Sequence, residues 1–216
     1  MPHPTITALR SLVDTRFPVA TRKPGRAVAT GVTAIDDALG GGLPAGRLTE
    51  ITSPHPGSGG QLLLCQLLLT MRAARQRVAL VDAMDGFTPE SVPDDALRHL
   101  VWVRPKGLSD ALVATDVLVR DGNYGLVALD LRGIAERELQ STPKGLWHRL
   151  HRAAEDQPTA VLVQTTIGLV PAVLHRLELR NRVGVAGFRR TWTELLAGLT
   201  VETVRGRYRQ AEELAG

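Results

Sequence analysis

Lysine is scarce in this chain: of 26 basic residues only Lys23, Lys106 and Lys144 are lysines, and none lies near the glycine-rich stretch at 53 to 60. Cysteine occurs once, at Cys65, which excludes an intramolecular disulfide. Set among leucines, that thiol reads as a small buried hydrophobe. No apolar run reaches the roughly 18 to 20 residues that would cross a bilayer. The first four residues, Met1-Pro-His-Pro4, lack the basic start and apolar segment of a secretory signal. These absences predict a soluble, cytoplasmic protein with no membrane partner, and no metal centre is expected. Internal repeats and low-complexity tracts are missing as well.

What is present suffices for one α/β domain with short extensions: 216 residues, of which 44% are hydrophobic. The net charge is only +4, and it is unevenly spread. Between 176 and 209 the arginines at 176, 180, 182, 189, 190, 205, 207 and 209 outnumber Glu178, Glu194 and Glu202. Such a basic segment points to an anionic partner, nucleic acid first.

Residues 5 to 14 carry Ile6, Leu9, Leu12 and Val13 at the spacing of a short amphipathic helix, too short to hold by itself in water. Pro18, Pro24 and Gly25 then enforce an extended linker over 15 to 29, whose apolar patch is Phe17-Pro-Val-Ala20. A short helix is expected at 33 to 39, then a glycine turn and a strand into the glycine loop. A leucine-rich helix over 61 to 76 has almost no polar face and must be buried. Strands are expected at 78 to 82, 100 to 104, 125 to 131 and 159 to 164, with a loop or broken helix at 88 to 99. Helices fill 108 to 120 and 143 to 155, the latter with Thr142 as N-cap and Pro143 in its first turn. A half-exposed strand at 172 to 180 and antiparallel strands at 184 to 192 and 199 to 204 complete the chain. Alternating strands and helices followed by strands alone predict a mostly parallel twisted sheet flanked by helices, with an antiparallel C-terminal extension. The division is therefore an N-terminal helix (1 to 14), a linker (15 to 29), a core (30 to 205) and a tail (206 to 216).

The stretch from 50 to 64, Glu-Ile-Thr-Ser-Pro-His-Pro-Gly-Ser-Gly-Gly-Gln-Leu-Leu-Leu, runs a strand through a glycine-rich loop into a helix. That is the place of a phosphate-binding loop. In G-x-x-x-x-G-K-[ST] the lysine neutralises phosphate oxygens and the next hydroxyl ligates magnesium. Gly59 and Gly60 occupy those two positions here. Bare N–H groups at a helix start still favour anions, so Ser53, Gly57, Ser58, Gly59, Gly60 and Gln61 form a vestigial anion site.

Residues 30 to 51, Thr-Gly-Val-Thr-Ala-Ile-Asp-Asp-Ala-Leu-Gly-Gly-Gly-Leu-Pro-Ala-Gly-Arg-Leu-Thr-Glu-Ile, closely resemble the segment that leads into the phosphate loop of RecA-type recombinases. The resemblance covers about 28 to 205 and implies a RecA-like P-loop fold. It also implies where catalytic groups should stand. The family's water-activating carboxylate follows a strand in a D-A-E pattern, which here reads Asp82-Ala83-Met84. Methionine cannot take a proton from water, so hydrolysis loses its base along with its lysine. Asp130 matches the aspartate that positions magnesium, and Gln164 matches the glutamine that senses the γ-phosphate. Only about a dozen residues separate Gln164 from the strand around Leu177, where a recombinase has a long DNA-binding loop.

A degenerate core of this kind is similar to the ImuA family, RecA-like accessory proteins of bacterial mutasomes. That resemblance implies an adaptor without catalytic residues and without ATP or magnesium as cofactor. It would bind RecA, an ImuB-type polymerase-like protein or both, in SOS-induced translesion synthesis. Phe17 and Ala20 resemble a Phe-x-x-Ala motif with which some recombinases plug a neighbouring subunit, which would make them an interface with a partner or a second copy. DNA contact would fall to Arg180, Arg182, Arg189, Arg190, Arg205 and Arg207. Two other expectations compete: an atypical ATPase that recruits Arg72, Arg75 or a neighbour's arginine as its cation, and a sequence-independent DNA-binding module.

Overall fold

Three five-residue strands, β3 (Leu48–Thr52), β4 (Val78–Asp82) and β6 (Leu126–Asp130), and the six-residue β7 (Ala160–Thr165) are buried at every position. A strand buried on both faces must lie inside a sheet covered by helices on both sides. The computed structural model shows that arrangement. It describes residues 26–205 apart from 156, 172, 185, 186 and 188, and the side chain of Arg205 is not described. The expected N-terminal helix, Phe17, Ala20, Arg207 and the tail lie outside the described residues.

A seven-stranded sheet has the order β5-β4-β6-β7-β3-β8-β9, with β5 at Leu100–Val103, β8 at His175–Leu179 and β9 at Val201–Arg205. All pairings are parallel except β8 with β9. A separate two-stranded ribbon joins β1 (Ala27–Val28) to β2 (Leu43–Pro44). One face of the large sheet packs on α1 (Thr33–Leu39) and α2 (Gly60–Ala73), through Ile35, Leu63, Leu67 and Met71 against Leu80, Leu126 and Leu162. After the short α3 (Asp94–Leu97), the other face packs on α4 (Leu108–Asp121), α5 (Glu136–Gln140) and α6 (Lys144–Glu155). There Ala111, Leu139, Trp147 and Leu150 meet Val81, Val127 and Leu129.

The segment from Thr30 to Asp36 is locked by one carboxylate. Asp36 accepts from Thr30 N–H and Oγ1, both at 2.8 Å, and from Gly31 N–H at 3.2 Å. The Thr70 hydroxyl of α2 donates to Thr30 O, which ties this turn to the helix behind the glycine loop. Gly31 has φ 76°, and a β-carbon there would collide with Thr70 and Gln66, so the position accepts only glycine.

Two expectations need correction. No strand forms among the described residues of 184 to 192. Instead α7 (Trp192–Ala197) follows, opened by a capping box in which Thr191 and Glu194 bond each other's backbone N–H. The antiparallel extension is β8 with β9. Thr142 caps nothing: its buried hydroxyl has no partner, and α6 begins at Lys144, one residue after Pro143.

Candidate phosphate-loop site and its C-terminal cover

The loop from 53 to 59 leaves the end of β3 and turns into α2. Ser53 N–H donates to Thr165 O at 2.8 Å, so the loop starts anchored to the end of β7. His55 N–H donates to Ser58 Oγ at 3.1 Å, which closes the turn internally. Gly57 (φ 82°) and Gly59 (φ 105°) adopt conformations that side chains rarely tolerate. The turn from β3 to α2 thus has the strand-to-helix shape that a phosphate loop uses.

Positions 59 and 60 are closely packed. A β-carbon on Gly59 would run into Leu199, which is 3% exposed and fills the space that a lysine side chain would need. A β-carbon on Gly60 would collide with the guanidinium of Arg132 and lie 2.7 Å from Ser53 Oγ. Arg132 makes a two-pronged pair with Asp130, Nε to Oδ1 at 2.8 Å and Nη2 to Oδ2 at 2.6 Å, and its own N–H donates to Oδ1 at 3.1 Å. Asp130 is 5% exposed. Both of its oxygens are thus committed to the arginine that lies over Gly60. The sequence reasoning missed Arg132. Its signal was the spacing Asp130-x-Arg132 at the end of a buried strand, which lets the side chain fold back over the strand's last carboxylate.

Gln164 lies beside Asp130 in the register of β6 and β7. It is fully buried and its Nε2 donates to Gly60 O at 3.3 Å, so it reaches the helix start. Asp82 serves the following turn, accepting from Gly86 N–H and Phe87 N–H at 2.9 Å and from Trp102 Nε1 at 3.3 Å. Met84 is 54% exposed and packs beside Gly133. Asp85 points away, to Arg104 at 3.5 Å.

The segment after β7 is held short by a buried ion pair. Glu50 has no exposure, and Arg176 Nε donates to its Oε2 at 2.5 Å. Its Oε1 accepts from the Thr165 hydroxyl and from Leu169 and Val170 N–H, at 3.2, 2.6 and 3.1 Å. One carboxylate thus organises the whole turn from 165 to 170.

The C-terminal part of the core folds over the loop. Val183 N–H donates to Gly57 O at 3.1 Å, and Trp192 Nε1 donates to Gln66 Oε1 on α2 at 3.0 Å. Between loop and cover lies a cavity of about 800 Å³, lined by all the candidate loop residues together with Arg132, Thr166, Val183, Arg190, Trp192 and Leu195. Cys65 borders it, and burial pushes its thiol up to about 11, so it stays protonated near neutrality. A smaller cavity of about 260 Å³ holds Gln61, Met84, Asp130 and Arg132.

The structure sorts the basic segment. Arg180 bridges Glu178 and Glu202, both at 2.5 Å. Arg182, Arg189 and Arg190 are exposed. Arg72 is held by Asp95 through two bonds of 2.8 and 2.9 Å. It sits about 18 Å along α2 from the loop, at 1.5 Å per residue, and Arg75 lies farther still. Neither can serve as the loop's missing cation. Among the described residues no group of three or more His, Cys, Asp or Glu is arranged to hold a metal ion, and no helix is long and apolar enough to cross a membrane.

No family model matches the chain. It is similar to the protein RecA of Streptomyces venezuelae, 32% identical over 174 residues that span 76% of this chain and 45% of that protein. The protein RecA of Streptomyces coelicolor is 31% identical over 174 residues, with the same coverage of both chains. The protein RecA of Frankia alni is 32% identical over 174 residues, 76% of this chain and 49% of its own. The chain therefore spans about half the length of the curated relatives it matches.

Proposed function

We propose that this RecA-like chain is a non-hydrolysing adaptor of the bacterial DNA-damage response. It binds RecA, an ImuB-type polymerase-like protein or both, and supports error-prone translesion synthesis from the cytoplasm. The observation that carries the reading is the Arg132–Asp130 pair beside Gly60. The aspartate that would hold a metal's water is bonded to the chain's own arginine, and the place of the phosphate-neutralising lysine is closed by Leu199. Such a donor set does not fit a magnesium nucleotide. An adaptor needs surface complementarity and a stable core, and both survive the loss of reactive groups.

A second reading, sequence-independent DNA binding, is favoured by the exposure of Arg182, Arg189 and Arg190 on one segment. Phosphate contacts by such arginines would make binding fall steeply with salt. An atypical ATPase could not draw its cation from Arg72 or Arg75, which stand at or beyond the far end of α2.

The test is retention of purified RecA and of an ImuB-type protein on the immobilised chain. At least one is expected to be retained at micromolar concentration, with a second copy of the chain run alongside as the self-association control. Retention of neither would contradict the adaptor reading.

A further inference from the structure

The cavity over the glycine loop has two unlike walls. Its floor is polar and undersupplied with partners. Ser53 is 6% exposed and its Oγ has no hydrogen-bond partner among the described residues, and the Thr166 Oγ1 is buried in the same condition. Arg132 uses Nε and Nη2 on Asp130 and lays Nη1 over Gly60. The start of α2 adds unsatisfied N–H groups and the positive end of the helix dipole. Donors that are buried without an acceptor are costly, so this floor calls for an oxyanion.

The opposite wall is largely apolar, with Arg190 as its charged member. Val183, Trp192 and Leu195 face the loop, and Trp192 is fixed in place by its bond to Gln66. A wall that is already rigid lowers the ordering cost of binding. Charge decides the class of ligand. Asp130 already neutralises Arg132, so Arg190 is the remaining guanidinium on the lining, and together with the helix start and the hydroxyls it lets the cavity balance about one negative charge. A polyphosphate would leave several charges unmatched against a largely apolar wall. The cavity's volume of about 800 Å³ lies in the range of small-molecule sites.

We propose that this cavity binds a carboxylate carried on an apolar or aromatic group. Its oxygens accept from Ser53 Oγ, Thr166 Oγ1 and Arg132 Nη1, and its hydrocarbon part lies against Trp192, Leu195 and Val183. A free organic acid and the C-terminal carboxylate of a partner peptide both present this chemistry. The inference rests on reading the loop as one that does not hold a magnesium nucleotide.

Calorimetric titration of the full chain with 1-naphthaleneacetate tests it, against the neutral 1-naphthaleneacetamide. The acid is expected to bind saturably and the amide about tenfold more weakly, the factor expected for loss of one charge-assisted hydrogen bond. Leu195→Glu, on the half-exposed α7, places a like charge in the wall and is expected to weaken the acid by about tenfold or more. Ser53→Ala is expected to weaken it by about fivefold. Circular dichroism checks that both variants fold. Acetyl-Gly-Gly-Phe with a free carboxylate, binding more tightly than naphthaleneacetate and losing affinity on amidation, assigns the site to a peptide end; the reverse order assigns it to a free acid. Equal affinity for acid and amide, or no binding of either at about 10 mM, overturns the proposal. Magnesium ATP run in the same way separates the two readings. If it binds and the acid does not, the nucleotide-free reading falls as well; if neither binds, only the carboxylate site falls.

Discussion

Arg132 is the residue on which the site turns, and its identity as arginine matters as much as its charge. A planar guanidinium can meet both oxygens of Asp130 at once, whereas an ammonium could offer only a point charge. With the Arg132 side chain 19% exposed and Asp130 6%, the pair is largely desolvated. Arg132→Ala would strand a buried carboxylate, and partial solvent access trims the usual penalty to about 2 kcal/mol. Urea unfolding is expected to show that loss, and Asp130→Asn added to Arg132→Ala is expected to recover most of it. Equal instability of the single and double variants would show that the pair is not what the arginine contributes. Reading residues in order exposed the two losses, Gly59 and Met84. It could not expose Arg132, which reaches Gly60 from the turn after β6, some seventy positions later.

Most elements were legible for a simple reason: a strand buried on both faces is a short unbroken apolar run, and β4 starts and stops where that run does. The helix at Thr33–Leu39 is delimited by its glycines, with Gly40 in the left-handed conformation as its C-cap. The misread piece, 184 to 192, has no usable periodicity, and the signal next to it was the spacing Thr191-x-x-Glu194 ahead of Leu195 and Leu196. Also hidden was the role of Glu50. In sequence it is one polar residue in a strand, but in the fold it accepts four bonds from the turn after β7 and from Arg176. That pairing explains how so short a connection stays ordered without a recombinase's long loop. Glu50→Ala is expected to cost about 3 kcal/mol by leaving Arg176 and two backbone donors without their acceptor. Amide exchange at Leu169 and Val170 should rise selectively before global unfolding. Unchanged exchange there would mean that packing, and not Glu50, holds the turn.

At the scale of the molecule, the chain keeps the sheet and the glycine turn of a RecA-like core while its C-terminal part covers the turn. Leu199, Val183 and Trp192 come from beyond β8, so the closure of the loop is a property of the whole fold and of no local motif. Lysine placed at 59 would meet Leu199 and a strained φ of 105°, so the packing favours glycine there. The fold class was readable from the sequence and the cover was not, since it depends on contacts between segments more than a hundred residues apart. Equilibrium binding of a fluorescent ATP analogue with magnesium to the purified chain, read together with phosphate release, tests the central claim most directly. No saturable binding up to about 1 mM and phosphate release at background are expected. Micromolar binding, or turnover that disappears on Asp130→Asn, would contradict it.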